Sequence, residues 1–299
     1  MELTVSELVV LDESLWTHRE QHHLERVDGF LGPHAERARR GEAHPVWDFL
    51  FTYYSLRPRH VRRWHPGFGT ALEGVAARRF LDRSGYGARD SVVSVTREYL
   101  STRVETVEYL ARLLRSTAQR PARMNCFGLH EWAMVYRTTD VRHAQVPLRL
   151  GEAGTDAVVE SMPLRCSHFD AYRFFTTPAV GRNAERLSRA RQVATEQPGC
   201  IHANMDLYRA CYKLGPLVDS ELLVDCLELA ADARVVDMRA SPYDLTGYGF
   251  EPIAIETPAG RADYVRAQQH IADRAAPLRA TLADTCDVLL AAVTCAAFE

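Results

Sequence analysis

Apolar residues recur at three- and four-residue spacing over most of this 299-residue chain, and that period predicts a mainly helical protein. Near the N-terminus Leu8, Leu11, Leu15, Leu24, Val27 and Leu31 follow it, with charges between them, until Pro33 interrupts and Gly41 stops the run. The next apolar stretch, VWDFLFTYYSL, is hydrophobic nearly all round, as a central buried helix would be. Pro58 ends it, and a Trp64-His65-Pro66-Gly67 turn follows. Residues 70–82 and 90–118 read as helices, the second capped by Asp90-Ser91. MNCFGLHEWAMVYR, residues 124–137, fits either a short buried helix or a strand. From 138 to 178 the texture changes, because Pro147, Gly151, Gly154 and Pro163 punctuate short alternations such as VPLRL and AVVE. A small extended or β insertion, or an ordered lid, is expected there. Helical patterning resumes at 181–195, 203–214 and 219–233. A Pro/Gly/Tyr-rich loop covers 240–258, and a last helix, with a break at Pro277, runs from 259 to about 297. No repeat or linker divides the chain, so the expected fold is a single-domain, mainly α, multi-helix bundle over residues 1–299.

Composition narrows the class. Thirty-six basic against 39 acidic residues leave a net charge of -3, so no overall basic balance points to nucleic acid. Lys213 is the lone lysine and every other basic residue is arginine, the mark of a GC-rich coding background. The seven cysteines, Cys126, Cys166, Cys200, Cys211, Cys226, Cys286 and Cys295, contain no C-x-x-C pair. No signal peptide or run of eighteen apolar residues appears. A cytoplasmic location, no membrane partner and buried apolar cysteines are therefore expected.

The chemistry concentrates in GCIHANMDLYRACYKLG, residues 199–215. His202 and Asp206 are four apart, so a helix projects them from one face, where an imidazole and a carboxylate suit a divalent metal or a general base. HPVWD repeats the pattern with His44 and Asp48. His168 and Asp170 share a face if SHFDAY is extended, whereas adjacent His130 and Glu131 cannot both face one site on a regular element. Glu131 is thus the weakest member of the set. His18, His22, His23, His60, His143 and His270 sit among charges and read as surface residues; His34 and His65 lie in apolar surroundings.

The leading expectation is a metalloenzyme with His44, Asp48, His168, His202 and Asp206 as ligands of a divalent Fe, Mn or Zn ion. Asp206, Asp48 and His130 would be the catalytic groups. It requires both His-x-x-x-Asp segments to be helical and to face each other. Trp64, Trp132, Tyr53 and Tyr54 would wall the pocket. Arg62 and Arg63 of RPRHVRR, with Asn204, would hold a small anionic or nucleobase-like substrate. The same arginines and tryptophans also suit phosphates and an extruded base, so nucleic acid is a second candidate partner.

HPVWDFLFTYYSLRPRHVRRWHPG, MNCFGLHEWAMVYR, CSHFDAYRFFT and GCIHANMDLYRACYKLGPLVDSELLVDCLELAADARVVDMRASPYDL resemble a group of actinobacterial proteins commonly labelled 3-methyladenine DNA glycosylase, over residues 20–280. That resemblance implies hydrolysis of the N-glycosidic bond of an alkylated purine. Asp206 or Asp48 would activate water and Trp64 or Trp132 would stack on the base; Lys213 is the one candidate amine for a Schiff-base route. No Leu-Pro-Gly-Val-Gly hairpin run and no recognisable Cys/His zinc cluster accompanies it. A third reading makes the chain a non-catalytic binding protein whose histidines satisfy buried carbonyls.

Overall fold

The computed structural model describes residues 8–54, 56–139 and 145–294. His143 and Cys295, expected at the surface and in the core respectively, lie outside them. The fold is mainly α, as the periodicity predicts, with one four-stranded sheet. Among the described residues no helix is long and apolar enough to cross a membrane, and the six described cysteines are free thiols.

Strand β1 (Val9–Leu11) leads into α1 (Glu13–Arg39), capped by Asp12, whose carboxylate accepts the Leu15 N–H at 2.9 Å. The helix runs through Pro33, which was expected to interrupt it, and ends before Gly41 (φ +69°). The stretch expected as a central helix forms only α2 (Phe49–Thr52), followed by α3 (Pro58–Val61). Local capping explains the difference. His44 Nδ1 takes the Val46 and Trp47 N–H groups at 3.2 and 3.3 Å, and Asp48 Oδ2 takes the His44 N–H at 2.8 Å, which stabilises a turn through Pro45.

Of the helices expected over 70–82 and 90–118, the first segments instead join the sheet as β2 (Thr70–Glu73) and β4 (Val92–Val95), with β3 (Tyr86–Arg89) between them in the chain and the order β1-β2-β4-β3, while Val75–Asp82 keeps a 3-10 helical turn. Strands β1 and β2 run parallel, and the other pairings are antiparallel. Asp90-Ser91 is the two-residue hairpin turn rather than a helix cap, with Asp90 at φ +52°, a conformation aspartate tolerates. The β-branched VVSV behind it favours a strand. The next helix starts at Thr96, whose hydroxyl accepts the Tyr99 N–H. It continues as α4 (Arg97–Ser101) and α5 (Val104–Ala118).

Residues 124–137 resolve as the one-turn α6 (Leu129–Ala133). No strand pair forms among the described residues of 138–178. α7 (Gly151–Ser161) lies there, burying Thr155, Val158 and Val159, and three-and-four spacing rather than alternation accounts for AVVE. α8 (Phe169–Tyr172) and α9 (Thr177–Val180) follow, and within 181–195 only α10 (Gln192–Thr195) is α-helical.

The centre is α11 (Ile201–Leu214), which buries ten of its side chains and packs on α12 (Ser220–Arg239), α5 and α13 (Pro258–Thr294). α13 passes unbroken through Pro277. Polar residues at the inward positions of α11 therefore sit in the core, which is what creates a site there.

Candidate metal centre

Three elements bring two imidazoles and two carboxylates together. α11 supplies His202, α12 supplies Asp237 with Arg234 one turn before it, and α6 supplies His130 and Glu131. One ligand atom from each of His130, Glu131, His202 and Asp237 lies within 4.8 Å of the other three, and all four residues are buried. Four ligands on one ion at about 2.1 Å would stand roughly 3.4 Å apart, so a modest contraction closes the shell. The site forms because α6 is enclosed on all sides, which lets adjacent residues serve one centre. Phe127 (φ +52°) and Gly128 (φ +72°) aim it. A Cβ at Gly128 would stand 3.1 Å from the Ala240 Cβ.

His130 Nε2 is 2.8 Å from Asp237 Oδ1, and its Nδ1 is 3.4 Å from Cys126 Sγ. Arg234 Nη1 donates to Glu131 Oε1 at 3.0 Å and to Asp237 Oδ2 at 3.1 Å. His202 Nε2 stands 3.9 Å from Asp237 Oδ2, beyond hydrogen-bond reach. Burial works against a charged His130, but the Asp237 carboxylate outweighs it and holds the imidazole well above its ordinary pKa. Burial also opposes the Asp237 charge, and His130 and His202 outweigh it, keeping the carboxylate ionised. His202 is driven the other way. Burial pushes it down to about 3 despite Asp237, so its ring is neutral near pH 7 with a lone pair to offer.

No protein-family model, curated protein or solved structure matches this chain. The side-chain chemistry therefore carries the assignment alone: the described group could hold a metal ion.

A second group adjoins the first. His168 Nε2 lies 3.2 Å from Asp206 Oδ2 and 3.3 Å from Glu196 Oε1, and the three also meet the spacing an ion needs. The His168 and His202 rings are 5.4 Å apart. His168 is raised above its ordinary value, since Glu196 and Asp206 outweigh burial. Burial raises Glu196. Asp170 is fully buried and clamped by Arg189 (2.5 and 3.0 Å) and Arg209 (2.6 Å), which overcome burial and bring it to about 2.

A cleft of about 470 Å³ opens over the first group. Glu131, His202 and Arg234 line it, with Phe49, Tyr53 and Phe174 as its aromatic wall. Phe49 and Tyr53 stack in parallel at 4.5 Å, and the Arg234 guanidinium sits 4.0 Å over the Phe49 ring. Burial, then Asp206 and Asp170, raises the Tyr53 hydroxyl to about 12.

The ligand set differs from the one expected. His202 and Asp206 do share a helix, but His202 turns to Asp237 and Asp206 to His168. Asp170 does not face His168's partners as a ligand, because arginines hold it. His44 and Asp48 are not helical, and neither joins the His202 group. They line the cleft mouth, with Asp48 bonded to His34 Nδ1 at 2.9 Å. The expected convergence of His44, Asp48, His130, His168, His202 and Asp206 on one site does not form: His130 and His202 group with Glu131 and Asp237, and His168 and Asp206 group with Glu196. Glu131, ranked weakest, is central.

Of the expected pocket residues, Tyr53 lines the cleft. Tyr54 is buried behind it, edge-on to Tyr208 at 5.7 Å. Trp64 packs with Trp16 and Phe80 beneath the sheet, and Trp132 is buried with Nε1 donating to the Ala240 carbonyl at 2.8 Å. Neither tryptophan walls the cleft. Arg62 pairs with Asp28 at the surface, and Arg63 lines a different cavity. Asn204 is buried, accepting from Arg279 and donating to the Pro198 carbonyl. His23, expected at the surface, is buried against the Val61 carbonyl at 2.9 Å.

Asp237, Arg234 and Glu196 lie outside the set expected from the sequence. The first two carry a visible signal: along α12, Leu227, Ala230, Ala231, Arg234, Asp237 and Met238 form one buried stripe, and two of its members are charged. Glu196 lies in a loop, where no period marks it.

Proposed function

We propose that this protein is a metal-dependent enzyme in which His130, Glu131, His202 and Asp237 hold a divalent transition ion at the floor of the aromatic cleft. One observation carries the reading: two imidazoles and two carboxylates within 4.8 Å of one another, buried, beneath a cleft that admits a small molecule. His202 offers a neutral nitrogen. His130 exchanges its Nε2 proton for the ion, so uptake releases a proton. Its Nδ1, against Cys126, fixes the ring from the far side. A metal held there activates water or dioxygen, and the Phe49–Tyr53 wall with Arg234 favours a flat, anionic or nucleobase-like substrate. Calorimetric titration of chelator-treated, untagged protein with Zn(II), Mn(II) and Fe(II) tests the ligand set. Saturable binding should be lost in His202→Ala and Asp237→Asn but retained in His44→Ala. Equal binding by all four proteins would overturn it.

The parallel Phe49–Tyr53 pair gives the resemblance to the 3-methyladenine DNA glycosylase group a separate footing, since stacked aromatic faces accept an extruded base. Release of free base from alkylated duplex, lost in Tyr53→Ala, is its test. No released base would remove it.

A further inference from the structure

A second concavity, of about 390 Å³, lies at the opposite end of α11, between that helix, α3, α4 and the Arg83-Ser84 loop. Eleven residues separate Lys213, on its wall, from His202, a rise of about 16 Å along the helix. Its lining contains Arg63, Arg83, Arg103 and Lys213 and not one carboxylate, in a chain whose acidic residues outnumber its basic ones.

These cations are poorly compensated. Elsewhere arginines hold acids closely: Arg26 pairs with Asp225 and Glu228 at 2.7 and 2.9 Å, and Arg149 with Glu256 at 2.6 Å. Here Arg83 donates to the Trp64 carbonyl at 2.8 Å, and its nearest carboxylate, Glu20, is 3.8 Å away. Arg103 donates to the Lys213 carbonyl, and its Nε is buried without a hydrogen-bond partner. Burial, then the neighbouring Arg63, Arg59 and Arg57, lowers His60. Burial lowers Arg83 and Lys213 as well; Arg63 of the same wall adds to the effect on Arg83, and Arg209 and Arg189, outside the cavity, add to the effect on Lys213. Four cations on a wall without a carboxylate mark a site of positive potential suited to an anion.

The wall also offers flat surfaces. His60 lies parallel to Tyr212 with ring centroids 6.4 Å apart, and Tyr99 approaches the open backbone of Gly215 (φ +59°). Just outside, Arg62 pairs with Asp28 and Arg79 with Glu20, which bounds the positive field on those two sides. That containment favours a compact ligand over an extended nucleic-acid backbone.

The geometry points to this cavity as a binding site for a phosphorylated small molecule, with Arg63, Arg83, Arg103 and Lys213 holding the phosphate groups and the His60–Tyr212 stack holding a ring. The site is independent of the metal centre. It also gives RPRHVRR and the lone lysine a use that the aromatic cleft does not.

Calorimetry in chelator with inorganic phosphate, pyrophosphate, a nucleoside diphosphate and a single-stranded oligonucleotide tests it. Saturable binding of pyrophosphate or the nucleoside diphosphate is expected. A tighter diphosphate would identify the ring as part of the ligand, and equal affinities would make the phosphates alone sufficient. Lys213→Gln and Arg63→Gln, both exposed, should each weaken binding about tenfold while melting like wild type, and Arg62→Gln should not change it. No saturable binding at millimolar ligand, unchanged affinity in both variants, or binding of the oligonucleotide alone would overturn the proposal.

Discussion

Asp237→Asn is the perturbation that tests the buried network most severely. The carboxylate has no solvent exposure and holds His130 at 2.8 Å and Arg234 at 3.1 Å. Asparagine preserves the shape but removes the charge. Arg234, itself 1% exposed, is then left with Glu131 alone, and His130 loses the group that keeps it protonated. Removing one partner of a buried ion pair costs about 3–5 kcal/mol. His130 can shed its proton in response, which places the expected loss near the lower end, about 3 kcal/mol. For a chain of this size that is roughly 5 °C in Tm. Urea and thermal unfolding in chelator at pH 7 measure it. The pH profile adds a sign. His130 is raised in the folded state, so its contribution is complete below about pH 6.5 and is lost as pH climbs through the raised value. Asp237 is depressed, so its contribution is present above about pH 4 and lost on acidification. The variant should lack the alkaline decline. A loss under about 1 kcal/mol with an unchanged pH profile would refute the network as described.

Three further outcomes follow from named contacts. His65 is pushed down to about 3 by burial, then by Arg83 and Arg63, so the unfolded chain takes up a proton below pH 6.5 that the folded chain refuses. Stability should fall with acidification between pH 6 and 3, and His65→Gln should flatten that slope by about 1.4 kcal/mol per pH unit in urea titrations. Gly128→Ala forces a side chain into φ +72° against Ala240 and should cost about 1–3 kcal/mol by thermal unfolding; a neutral result would free α6 from that turn. Cys126→Ala removes the partner of His130 Nδ1 and should weaken metal affinity about tenfold, read by competition with a chelating dye.

The helical class and the central place of residues 199–215 are legible in the sequence, because α11 is long and its apolar spacing is unambiguous. The sheet is not. TALE and VVSV are four-residue segments whose alternation is too short to outvote the helical reading of their neighbours, and for VVSV only the Asp90-Ser91 hairpin turn distinguishes strand from helix. The site is half legible. Residue type alone marks His202, Asp206, His168 and His130, but their partners follow from packing. His202 and Asp206 diverge because α6 and α12 approach one side of α11 and the loop holding Glu196 the other. HPVWD looked like a second helical pair, yet its own side chains cap the backbone into a turn. Arg234 and Asp237 could have been found as charges in an apolar stripe.

The metal content of untagged protein, before and after reconstitution, tests the central claim most directly. A stoichiometric transition ion is expected in the wild-type protein, and His202→Ala should fail to retain it. Less than a tenth of an equivalent of any such metal, with no rise on reconstitution, would contradict it.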